Sequence, residues 1–268
     1  MKRILVTILG VMGIFLTWGI GISLIFSFAN EPTFVPDDPA WLRLWWEVAP
    51  FILTAILTII VARLLRAELP WHRRAPRSFV FGIAVGTLWI GTAMGVLLAL
   101  GAISLTGPTP VAGASIYLAS IAINAAMQEL LVHGLLWVFI ASRHGKRAAL
   151  IATTIVFTAM HPGAFEAGWI AVANVVLAGL LFGYLTGWRG GLPAAIGAHI
   201  SWNVIGGFIL GAVILGDDNS WYSTLSNHGV LGGAQGQGIE GGLVVLVTTL
   251  TMLLLVTVFP RTRSHPTN

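Results

Sequence analysis

Apolar residues run almost unbroken through eight stretches of this chain. They span roughly Ile4–Phe28, Trp46–Leu65, Phe79–Leu105, Ala114–Ile140, Ala148–His161, Gly168–Leu185, Leu192–Leu215 and Gly241–Phe259. The hydrocarbon core of a bilayer takes about 20 apolar residues per helix. The pattern therefore predicts an all-α, polytopic membrane protein of about eight transmembrane helices. The fifth and sixth stretches are short and share the tight connection HPGAFEAG. Strands are not expected, because the runs are continuous and a membrane barrel needs alternation. The first run follows Met-Lys-Arg, as a signal peptide would. At about 25 residues it exceeds a signal h-region of roughly 7–15 and reads as a helix.

Composition narrows the class further. Of 268 residues, 56% are hydrophobic and 9% charged, against about a quarter charged in soluble domains. Mean hydropathy is +0.88. A soluble enzyme, a disordered chain and a nucleic-acid-binding domain are excluded. The net charge of +4 does not change this, since no Lys/Arg cluster is large enough to track a phosphate backbone. Cysteine is absent, so disulfides and thiolate chemistry are excluded as well.

Charge placement orients the spans. Threading eight helices puts Lys2, Arg3, Arg63, Arg66, Arg73, Arg74, Arg77, Arg143, Lys146, Arg147, Arg189, Arg261 and Arg263 on one side. Only Arg43 of the 14 basic residues falls opposite. Basic loops stay cytoplasmic, so both termini are expected there. Glu31, Asp37, Asp38, Glu166, Asp217 and Asp218 gather on the other side. Trp45, Trp46, Trp71, Trp188 and Trp221 lie near span ends, where indoles prefer the headgroup layer. Gly82 and Gly86, Gly91 and Gly95, and then Gly179, Gly183 and Gly187, stand four residues apart within each group. That spacing lets helices approach closely. Gly229–Gly242 reads as a flexible outer loop.

Polar residues within the spans are the candidates for chemistry. An ionised side chain at mid-membrane costs about 2.5–3.5 kcal/mol on insertion scales, so it needs a reason. Glu129 lies in the fourth span with Gln128 beside it and His133 one turn on. His161 ends the fifth span, Asn174 lies in the sixth, and His199 and Asn203 lie one turn apart in the seventh. Counted from the nearest basic residue at 1.5 Å per residue, these groups reach heights of about 15–22 Å. Four helices thus bring polar groups to one slab. Asn174 alone suits interhelical bonding, and His133 alone is open. His72, His144, His228 and His265 fall in loops or the tail and are assigned nothing.

Glu129, His161, His199 and Asn203 together supply what hydrolysis by water needs. A carboxylate and a neutral imidazole orient and deprotonate water. An imidazolium or a carboxamide donates to the oxyanion. Glu129, His161 and His199 could instead hold a divalent metal such as zinc with an open position, although the spacing is not of the His-Glu-x-x-His type. A proton-conducting transporter is a third class, opposed by the absence of repeat symmetry and of a second buried carboxylate.

In order along the chain stand QELLVHG from Gln128, FTAMHP from Phe157 and HISWN from His199. These resemble the Glu-Glu-x-x-x-Arg, Phe-x-x-x-His and His-x-x-x-Asn motifs of the CPBP family of intramembrane proteases. That family includes the CAAX prenyl proteases and bacteriocin-processing or self-immunity proteins, and the resemblance covers about residues 114–208. It implies an eight-helix fold with a site inside the bilayer, in which His161 helps activate water while His199 and Asn203 bind the oxyanion. It also implies a metalloprotease-type peptidase in a cell membrane of the bacterial or archaeal kind, acting on a peptide or membrane-protein substrate. Gln128 stands where the family has its leading Glu, and His133 where it has Arg. Either Glu129 serves instead, or the chain is a non-catalytic relative that binds a partner. The expected organisation is helices 1–3 over residues 1–113, the family core over 114–208, and a closing segment over 209–268.

Overall fold

The computed structural model describes residues 2–29, 35–36, 38–71, 74–213, 219–234 and 238–258. Arg73, Arg261, Arg263, Glu31, Asp37, Asp217, Asp218, His72, His265, Phe259 and the end of the seventh stretch lie outside them, as does the side chain of Lys2. The protein is an all-α membrane protein. The helices are α1 (Lys2–Ala29), α2 (Pro39–Leu65), α3 (Ala75–Ala99), α4 (Ala114–Glu129), α5 (Trp137–Ala159), α6 (Pro162–Ala167), α7 (Trp169–Trp188), α8 (Leu192–Ser201), α9 (Gly229–Gly232) and α10 (Leu243–Val258). Among the described residues, six helical segments are long and apolar enough to cross a membrane, and α10 is a shorter apolar helix. Wider π turns, Leu130–Leu136 and Trp202–Ile209, continue α4 and α8.

One of the six segments runs over Ala114–Ala159, 46 residues. Straight, it would be about 69 Å long, twice the hydrocarbon thickness. It is not straight. Gly145 has φ 81 and ψ 169, a backbone that suits a residue without Cβ. The rings of His133 and Phe157 lie 5.9 Å apart, where an unbroken helix would separate them by about 36 Å. The chain therefore reverses at Gly145, between the fourth and fifth stretches as the sequence suggests.

Two boundaries differ from the sequence reading. The second helix begins at Pro39 rather than near Trp46. Asp38 caps it by accepting from the Ala40 N–H at 2.9 Å, and Pro39 takes the first position, where its missing N–H costs nothing. This places Arg43 and Glu47 within the helix. The third helix stops at Ala99 rather than Leu105. Gly101 turns left-handed at φ 63, and the amides of Gly101 and Ala102 bond back to Leu98 and Leu97, a helix-closing arrangement. The freed residues form β1 (Ile103–Thr106), which pairs antiparallel with β2 (Ser223–Ser226), Ile103 facing Ser226. The expectation of no strands is corrected by this pair. It lies in the connections, where the short ISLT run is not long enough to span.

The core lies between α3, α7, α8 and α10. The indoles of Trp89 and Trp202 stack at 3.8 Å, and Trp89 Nε1 donates to Thr249 at 3.0 Å. α3 meets α8 backbone to backbone. A Cβ on Gly82 would lie 2.0 Å from the Ala194 carbonyl oxygen, and one on Gly86 2.4 Å from that of Ala198. Gly179, Gly183 and Gly187 likewise make room for Phe157, Leu150 and Trp137. Gly91 and Gly95 have open space beside them, so half of the α3 glycine stripe does not pack. α1 is held lightly, by Trp18 Nε1 donating to Thr54 at 2.8 Å and by Gly10 against the Phe139 ring. Its other apolar faces are open, as suits a helix in lipid.

The glycine contrast gives an expected outcome. Gly86→Ala displaces α8 beside His199 and lowers the melting temperature in detergent by the equivalent of about 2 kcal/mol, the usual cost of overpacking. Gly91→Ala has nothing to strike and raises it, by up to about 1 kcal/mol. Equal effects at the two positions would contradict this packing.

Candidate active site

A cavity of about 170 Å³ opens between α3, α4, α7, α8 and α10, room for several water molecules. Trp89, Phe157, Phe182 and Trp202 form its aromatic walls. Three of the four candidate catalytic residues line it: His161, His199 and Asn203. Gln128, Asn174 and Glu240 line it too.

His161 sits just past α5, where the helix has ended and Pro162 begins the next. Its Nδ1 is 2.6 Å from the Phe157 carbonyl. A carbonyl only accepts, so Nδ1 carries the hydrogen and neutral His161 keeps a bare lone pair on Nε2. The Phe157 ring lies 4.5 Å from the His161 ring and 5.9 Å from that of His199. It holds the imidazoles apart and in place. His199 stacks on Phe182 at 4.8 Å and 16°. Asn203, four residues on, enters the cavity from the π turn Trp202–Ile209, and such turns recur at functional sites.

Glu129 is not on the cavity wall. It is fully buried behind it. Its Oε2 accepts from His133 Nδ1 at 2.8 Å and its Oε1 from His199 Nδ1 at 2.9 Å. The carboxylate thus fixes the ring of His199 and leaves Nε2 as the atom His199 can offer the cavity. His133 does not reach the cavity, and its Nε2 is buried without a partner. The i, i+4 spacing of Glu129 and His133 anticipated their shared face, but not the bond that Glu129 makes to His199.

Gln128 takes the place on the wall. Its Nε2 donates to Asn124 Oδ1 at 2.6 Å, and Asn124 Nδ2 donates to Glu47 Oε2 at 2.7 Å. Oε1 is what remains for the cavity, an atom that accepts hydrogen bonds but takes no proton at useful pH. Asn124 and Glu47 were missed by the sequence reading, although Asn124 and Gln128 share one helix face and the Asp-Pro pair marks an early start for α2.

Glu240 was missed for another reason. It belongs to Gly229–Gly242, read as an outer loop. Part of that stretch instead turns inward as the 3₁₀ turn Ile239–Gly241, with Ile239 buried in the core. Asn174 Nδ2 donates to the Glu240 carbonyl at 2.5 Å, and Trp202 Nε1 donates to Glu240 Oε1 at 3.1 Å. Asn174 is thus an interhelical tie, as expected, and also part of the wall. No periodicity announces such a turn. Glu47 and Glu240 are half-buried, so Glu129 is the one fully buried carboxylate among the described residues.

The metal reading fits poorly. Both Glu129 oxygens are taken by imidazole N–H groups, facing away from the cavity, and Nδ1 of His161 is taken by a carbonyl. Among the described residues no group of three or more His, Cys, Asp or Glu is arranged to hold an ion. A catalytic zinc ordinarily takes three protein ligands.

A bundle of membrane-spanning helices around a cavity lined by two histidines, three asparagines, a glutamine and a glutamate defines a membrane protein with an internal polar site. Residues 110–205 match the family model described as type II CAAX prenyl endopeptidase Rce1-like. Over those residues the match bears out the resemblance to CPBP-family intramembrane proteases read from the three motifs. No curated protein and no solved structure matches the chain.

Removing the buried carboxylate should be costly. Glu129→Ala leaves two buried imidazoles without an acceptor and is expected to lose about 3 kcal/mol of stability. Gln128→Ala leaves Asn124 still bonded to Glu47 and should cost about 1 kcal/mol. Thermal melts of the two variants in detergent check the order.

Proposed function

We propose that the protein is an intramembrane endopeptidase that hydrolyses a peptide bond in the cavity that His161, His199 and Asn203 line. The observation that carries this reading is the meeting of His161, His199 and Asn203 on one wall. The Nε2 lone pair of His161 holds the attacking water. The scissile carbonyl lies toward Asn203 and His199. As charge develops on its oxygen, the Asn203 carboxamide N–H donates to it. Doubly protonated His199 donates through Nε2–H, its charge balanced by Glu129 across the other ring nitrogen. Donors aimed at a developing oxyanion in a site walled off from bulk water are worth far more than in solution.

Glu129 acts in this reading by orienting His199. Residues 114–208 form the reactive core. Trp89 from the first 113 residues, and Glu240 and Thr249 from the last stretch, complete the walls. Eight crossings with both termini cytoplasmic follow from the charge sorting. The chain reversal at Gly145 supports that count, and so does Lys146 Nζ donating to the Gly187 carbonyl at 3.1 Å, a contact between that reversal and the last turn of α7 on the predicted cytoplasmic side.

One observation favours a second reading. The cavity presents the Gln128 carboxamide where the family motif has a carboxylate, and the side chain is tied to Asn124. A relative without catalysis would bind a peptide in the same cavity and release it uncut.

Purified protein in detergent, given a quenched-fluorescence peptide library, is expected to cleave part of it. His161→Ala should abolish cleavage, and Asn203→Ala should lower kcat by about 10²-fold, as for loss of one oxyanion donor. Unchanged turnover in His161→Ala would refute the assignment. For topology, a tag at either terminus should be reached by protease only when the cytoplasmic face is exposed.

A further inference from the structure

Gln128 leaves the proposed hydrolysis without a proton acceptor at the first motif, yet the cavity is not without a carboxylate. Glu240 lines it together with His161, His199 and Asn203. It is the one carboxylate among the described residues that does so: Glu129 is fully buried behind the wall, and Glu47 is one hydrogen bond removed, held by the lining residue Asn124. Glu240 reaches the wall by a built arrangement. Its main-chain carbonyl accepts from Asn174 of α7, and its side chain accepts from Trp202, the residue before Asn203. Ile239 beside it is buried, and its amide donates to the Ala212 carbonyl at 2.8 Å. A surface loop would not be anchored by backbone, side chain and core at once.

We infer that Glu240 is the acid–base carboxylate of this cavity, in the role that Gln128 cannot fill. The inference rests on the peptidase reading. The attacking water keeps one hydrogen, bonded to His161 Nε2, and gives the other to the Glu240 carboxylate as its oxygen bonds to the carbonyl carbon. The carbonyl π electrons move to the oxygen, held by Asn203 and His199. When the tetrahedral species collapses, the C–N bond breaks, its electron pair goes to nitrogen, and Glu240 returns the proton there. One water is consumed, and an acid and an amine are formed. The carboxylate is supplied from beyond residues 110–205, the stretch that matches the family.

Glu240→Gln is the informative variant. Glutamine keeps an oxygen for the Trp202 N–H and the same main chain for Asn174, so packing is retained and only proton transfer is lost. Assayed on the quenched peptide library with the full-length protein in detergent, Glu240→Gln should lose about 10²-fold or more in kcat/KM at unchanged melting temperature. Placing the carboxylate back at the first motif, as Gln128→Glu in the Glu240→Gln background, should recover at least about tenfold of that loss. Activity of Glu240→Gln within about threefold of wild type overturns the inference. So does a pattern in which only Glu240→Ala is impaired, since that marks a structural role. Inert wild type beside active Gln128→Glu also overturns it, while leaving the peptidase geometry standing. If both are inert, the peptidase reading itself falls and takes this one with it.

Discussion

The site depends on one buried carboxylate. Glu129 has no contact with water and accepts one N–H from each of two imidazoles, one on its own helix and one on α8. An ion there is tolerable only if its lone pairs are satisfied. That requirement fixes the register of α4 against α8, the rotation of the His199 ring and the direction of its remaining nitrogen. The small residues then follow as a consequence. α8 can come this close only because Gly82 and Gly86 of α3 yield space on its far side. A carboxylate that is not itself on the cavity thus determines the geometry of the groups that are.

The wider π turns make sense in the same light. One follows Glu129 directly and contains His133, and the other follows Ser201 and contains Asn203. A regular helix advances its side chains by about 100° per residue. A wider turn shifts the residues after it to another face without ending the helix. Polar groups from both strands of the interaction can then point inward while apolar neighbours such as Leu131, Leu135 and Phe208 stay packed.

Much of this was legible from residue order. Unbroken apolar runs marked the helices. The intramembrane polar residues named a cavity that does contain His161, His199 and Asn203. What periodicity could not give was the side of α4 that faces the cavity. Gln128 and Glu129 are adjacent, and only the packing against His133 and His199 decides which turns inward. Local punctuation was legible but under-read: Asp38-Pro39 starts α2 early and thereby carries Glu47 inside, and Gly101 ends α3 before β1. Glu240 was not legible at all. Its placement comes from contacts with Asn174 and Trp202, 66 and 38 residues away in sequence, which no local pattern encodes.

The reversal at Gly145 bears on how the protein sits in membranes of different thickness. Arg143, Lys146 and Arg147 flank a break one residue long at Gly145, inside α5, so the helical arms before and after it start from a common plane with no slack between them. Glu129 and His161 stand at nearly equal numbers of residues above it. A thicker or thinner bilayer is met by tilting such a pair or by deforming the lipid around it. Sliding one helix past the other would break the turn. The level of Glu129 and His161 is thereby referenced to the Gly145 turn, like a gauge mounted from a single wall.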